Sequence, residues 1–192
     1  ALTCYKGGKA YQGFNVYWHE HDMVLHTEFR DGNVEPGYEQ LRILKESLCQ
    51  LPGGVEKVYV RSDSAGYRHD LLSYCYNGEN ERFGGIGFAI GCDICDSFKE
   101  AILLDKDIEW HPIYKIVKGK KKASGQEWAD VCFLPKAISR SKNGPDYKYI
   151  AIREEVEQKI LPGMEDCLQL PFPTLKIEQT NYKLSAFVTN LD

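Results

Sequence analysis

No stretch of this chain approaches the roughly 20 consecutive apolar residues that span a bilayer. The N-terminus also lacks the basic, then apolar, then small-residue pattern of a secretory signal. The expected compartment is therefore the cytoplasm. Excess positive charge is missing too: the net charge is −4 and the pI is near 5.8. Affinity for nucleic acid is largely phosphate neutralisation by Lys and Arg, which excludes a free-standing nucleic-acid binder and confines any DNA contact to a local patch. A compact disulfide framework is excluded as well. The seven cysteines, an odd number, are scattered over apparent helices and strands, so reduced thiols are expected. Cys92-Asp93-Ile94-Cys95 has the spacing of a zinc knuckle or redox dithiol, but no second Cys-x-x-Cys or Cys-x-x-His pair follows. A structural zinc site wants four ligands, so the pair reads as ordinary thiols. There is no internal repeat, and no low-complexity tract beyond Lys118 to Lys122.

What is present is enough apolar material, 43% of 192 residues, for one sizeable core or two small ones. Tyr11–Trp18 and Met23–Phe29 read as two strands joined tightly at His21-Asp22. Leu41, Leu44, Leu48 and Leu51 recur at helical spacing until Pro52-Gly53-Gly54 stops them. Val55–Val60 is a strand, Tyr67–Tyr76 a helix, Ile86–Gly91 a strand and Ser97–Leu104 a short helix. This order predicts an α/β layer with parallel and antiparallel pairs. From Trp110 the character changes: His111–Val117, Trp128–Phe133, Tyr147–Arg153, Leu175–Glu178 and Tyr182–Val188 are short strand candidates, which suggests an antiparallel β region. Ile160–Pro173, with three prolines, reads as a loop.

Three groups of side chains are candidates for chemistry. Asp63 follows the apolar part of the run Val58-Tyr59-Val60-Arg61-Ser62-Asp63-Ser64-Ala65-Gly66-Tyr67, so a buried strand is expected to deliver a carboxylate to a turn before a helix. Metal-binding acids are presented in this way at the carboxyl edge of α/β sheets, and so are plain N-caps; both roles stay open on the local pattern. His19, His21 and His26 crowd the first hairpin, with His19 and His21 expected on one strand face. A chelating pair is conceivable there, although no carboxylate or thiol partner stands at compatible spacing. Lys115, Lys118, Lys120, Lys121 and Lys122 read as a basic loop between two strands, a solvated turn or a phosphate contact.

Lys9-Ala10-Tyr11-Gln12-Gly13-Phe14, then Leu25-His26-Thr27-Glu28-Phe29-Arg30-Asp31-Gly32-Asn33-Val34, then the Asp63 run, then Phe187-Val188-Thr189-Asn190-Leu191 follow one another in order. Together they resemble bacterial insertion-sequence transposases of the DDE class, the "DDE domain, group 1" type. The resemblance implies a ribonuclease H-like mixed sheet with flanking helices, interrupted by a β-rich insertion. It apportions the chain as core over 1–109, insertion over 110–180 and a returning strand over 181–192. It further implies a homodimer on transposon-end and target DNA, and strand cleavage and transfer through Mg²⁺ or Mn²⁺ held by two Asp and one Glu. Asp63 aligns with the second acid. The first acid and the Glu are expected before Ala1 and after Asp192, so the 192 residues alone are expected to be inactive. Lys118, Lys120, Lys121 and Lys122 are the expected contacts to end DNA.

Overall fold

In the computed structural model, residues 2–3, 7–135, 145–156 and 172–192 are described. The expected loop over Ile160–Pro173, apart from its last two residues, and the thiols of Cys4 and Cys167 lie outside them. The chain is α/β and divides into two compact units, 1–87 and 88–192.

The first unit begins with an antiparallel sheet of β1 (Leu2–Thr3), β2 (Lys9–Trp18) and β3 (Met23–Asp31). Along β2 exposure alternates residue by residue, the period-2 signature of a sheet with one covered face. The hairpin register sets Gln12 opposite Arg30 and Phe14 opposite Glu28 on that covered face. The connection differs from the expected tight turn. His19–His21 form a short 3-10 turn, closed by Asp22 in the left-handed region at φ 53° and by a bond from the Tyr17 hydroxyl to the Asp22 carboxylate. That bond raises the Tyr17 pKa above its ordinary value, with desolvation adding to it.

Helix α1 (Gln40–Cys49) buries Gln40, Ile43, Leu44, Ser47 and Leu48, a stripe at i, i+3, i+4, i+7 and i+8. The expected face is thus rotated slightly: Leu41 is only half-buried, and the polar Gln40 is tolerated inside because its amide donates to Pro36 O at 3.1 Å. Strand β4 (Tyr59–Ser62) is later and shorter than expected, and α2 (His69–Tyr76) buries Leu71, Leu72, Tyr74 and Cys75. The Gly-rich link that follows is a set of ordered turns. Asn80 accepts from the backbone of Arg82 and Phe83, and the Arg82 guanidinium donates to the carbonyls of Leu51, Pro52 and Val55.

The second unit pairs its strands antiparallel throughout, in the order β5 (Gly87–Gly91), β10 (Thr180–Thr189), β8 (Lys148–Glu155), β7 (Lys120–Val131), β6 (His111–Val117), with β9 (Thr174–Ile177) on β10. Helix α3 (Asp96–Leu104) buries Phe98 and Ile102. Phe98, Phe133 and Tyr149 meet edge to face at 5.1 Å, the preferred aromatic geometry. The Thr189-Asn190 element clasps β5: Asn190 Oδ1 accepts from Phe88 N at 2.8 Å, and the Thr189 hydroxyl donates to Phe88 O at 2.6 Å.

The lysine run is a correction. It is not a loop, because Lys120, Lys121 and Lys122 lie within β7, paired with Val117, Ile116 and Lys115. Only Lys118-Gly119 turns, both at positive φ (50° and 73°), as a two-residue hairpin connection requires.

Candidate functional site

Asp63 leaves the end of β4 and caps a 3-10 turn over Ser64–Gly66. Its Oδ1 accepts the Ala65 N–H at 3.1 Å and its carbonyl accepts the Gly66 N–H at 3.0 Å. The capping role is therefore realised, with the carboxylate still exposed. The turn is drawn so tight that a Cβ on Gly66 would lie 2.5 Å from Ser62 Oγ and 2.7 Å from Ser62 Cβ.

Beside Asp63 opens a cleft of about 510 Å³, wholly within the first unit. Gln12, Phe14 and Asn15 come to it from β2, Arg30 from β3, Gln40 from α1, and Arg61 and Ser62 from the end of β4. Arg30 is buried against Glu28, its Nε donating to Oε1 at 2.8 Å. Glu28 also accepts from Arg42 at 2.7 Å, and Arg42 in turn bonds Glu39 and Glu46 along α1. The Arg42 bond, then the Arg30 bond, hold the Glu28 carboxyl down at about 2 from an ordinary 4.5. A carboxyl lowered on folding contributes stability above its unfolded value and loses that contribution as the pH falls through the folded one. The urea midpoint of the chain should therefore drop between pH 4.5 and about 2, and Glu28→Gln should flatten that limb. An equal slope in the variant would assign the acid sensitivity elsewhere.

Whether this cleft suits the two-ion site implied by the resemblance is decided by its donors. Among the described residues Asp63 is the one carboxylate lining it, Arg30 and Arg61 line it too, and no group of three or more His, Cys, Asp or Glu gathers. Divalent ions of this kind take about six oxygen ligands, so the described residues do not fit the pair of ions, and no step is derived through them.

The histidines do not assemble either. His19 and His21 sit in the 3-10 turn and not on a strand face; the His21 ring packs on Trp18 at 4.0 Å, while His26 stands on β3 at 3.7 Å from both Glu28 and Glu46. Cys92 and Cys95 are free thiols. Cys95 stands at the N-cap position of α3 without a side-chain capping bond, whereas Cys92 is buried, and burial, then Asp93 and Cys95, push its thiol up to about 12. Nucleophilic and metal-bound cysteines need the thiolate, which this environment opposes. The lysines form the exposed tip of the β6–β7 hairpin in the second unit, with Lys121 Nζ 4.3 Å from the Tyr114 ring.

Arg30 and Arg61 are the cleft residues that motif reading passed over, although both lie inside the quoted elements. The signal was present: Glu28 and Arg30 are two apart in a strand, so they share a face, and a charge pair on a covered face marks a built feature. No family model matches this sequence, and no curated protein matches it. Among the described residues no helix is long and apolar enough to cross a membrane.

Proposed function

We propose that these residues belong to the ribonuclease H-like catalytic core of a DDE-class DNA transposase, with Asp63 as one acid of its metal site and the adjoining cleft receiving a DNA phosphodiester. The observation that carries this reading is the placement of Asp63: an exposed carboxylate at a strand end, opening onto a cleft that also bears Arg30 and Arg61. A phosphodiester needs cations beside the acid that positions its metal, and both are at hand. The lysine-tipped hairpin supports a local DNA contact in an acidic chain. Cleavage itself calls for two further carboxylates at Asp63, so the described residues bind and position but do not complete the chemistry.

A second reading, a DNA- or protein-interaction module derived from such an enzyme, is favoured by the capping bond that occupies Asp63 and by the lack of another carboxylate among the described residues of the cleft. Asp63→Asn separates the two. Asn caps a turn as well as Asp does but lacks the charge a divalent ion needs. In the full reading frame this variant should keep its circular dichroism spectrum and lose Mg²⁺-dependent cleavage of transposon-end DNA. Retained cleavage would sink the catalytic reading. The 192-residue chain should bind Mg²⁺ no tighter than about millimolar by calorimetry.

A further inference from the structure

Arg30 is the one charged side chain among the buried described residues, 6% exposed. Glu28 satisfies only its Nε. Nη1 and Nη2 have no hydrogen-bond partner and are shut off from solvent. Unmet donors on a buried cation are costly, and native proteins leave few of them. These two nitrogens form the end-on fork of the guanidinium, which matches two oxygens of a single anion. The Phe14 and Tyr38 rings flank it, at 4.9 Å and 5.9 Å from Cζ.

We propose that the cleft is a phosphoryl-binding site in which Nη1 and Nη2 of Arg30 take two oxygens of one phosphate and Arg61, exposed on the same cleft, takes a third. A carboxylate would spend both its oxygens on Arg30 and leave Arg61 idle; a tetrahedral anion serves both. The volume of about 510 Å³ exceeds a lone phosphate and falls within the range of ligand clefts, so the group is carried on a larger molecule. Phe14 is held in β2, whereas Tyr38 is half exposed in the turn before α1. Of the two rings that flank the covered fork, Tyr38 is thus the one free to swing aside as the anion enters. The site does not depend on Asp63 holding a metal; it stands on Arg30 and Arg61.

Calorimetry on the full chain tests it with inorganic phosphate, acetate, a nucleoside monophosphate and a short 5′-phosphorylated single strand as probes. Phosphate should bind saturably and acetate at least tenfold more weakly. Arg30→Lys, which keeps the charge and loses the fork, should weaken phosphate about tenfold. Arg61→Gln, an exposed change that leaves folding intact, should weaken it severalfold. Tighter binding of the strand than of the mononucleotide would assign the phosphate to nucleic acid, and the reverse order to a small metabolite; either supports the site. Failure of wild-type protein to bind phosphate, equal binding of acetate, or affinity unmoved by Arg61→Gln would overturn it, leaving Arg30 a structural cation satisfied by buried water. If Arg30→Lys does not fold, the Arg61→Gln result decides alone.

Discussion

Glu28→Gln should destabilise the chain by about 2–3 kcal/mol at neutral pH, seen as a lower urea midpoint with an unchanged slope. Arg30 is confined with a side chain only 5% exposed, and Glu28 is its acceptor at 2.8 Å. Removing one member of a buried pair leaves the other charge uncompensated, a loss of about 3–5 kcal/mol in fully buried settings. Glu28 is 27% exposed, which brings the expectation to the lower end. The contrast that isolates the cause is Arg42→Gln. Arg42 is 38% exposed and shares itself among Glu28, Glu39 and Glu46, so its loss should shift the urea midpoint far less than the loss of Glu28 does. If the two variants cost the same, the stabilisation comes from the surface network on α1 and not from the cation in the cleft.

How far such features can be read in advance depends on whether they are local. The first hairpin was legible because alternation along Tyr11–Trp18 is a one-strand property, and His111–Val117 was legible to the residue for the same reason. The start of β7 was not. A lysine run reads as a solvated turn, yet at an exposed hairpin tip long charged side chains extend outward from both strands, and only Lys118-Gly119 need bend. Likewise Asp63 was conspicuous, since strand, acid and Gly-bearing turn are contiguous. Arg30 was not, because its burial comes from the register that sets it opposite Gln12 and from packing that a single strand does not reveal. The carboxylate of the cleft thus announces itself in sequence, whereas the Glu28-x-Arg30 spacing there marks only a shared face, and the burial of the cation comes from the fold.

The presentation of Asp63 depends on a contact of this second kind, at Gly66. Gly66→Ala should cost about 1–3 kcal/mol, the usual range for overpacking, although its backbone needs no left-handed conformation. The added Cβ would stand 2.5 Å from Ser62 Oγ and 2.7 Å from Ser62 Cβ, and 3.3 Å from Gln40 Oε1. Rotating the serine hydroxyl relieves the first contact but not the second, because Cβ is fixed to the last residue of β4. The end of the strand must then shift, and Asp63, next in the chain, shifts with it. A double-mutant cycle reads this directly. Ser62→Gly removes both close atoms, so the pair Ser62→Gly and Gly66→Ala should be less damaging than the sum of the single changes by about 1 kcal/mol or more in urea unfolding. Simple additivity would show that the turn yields without pushing on β4, and Asp63 would then be held by its own capping bond to Ala65.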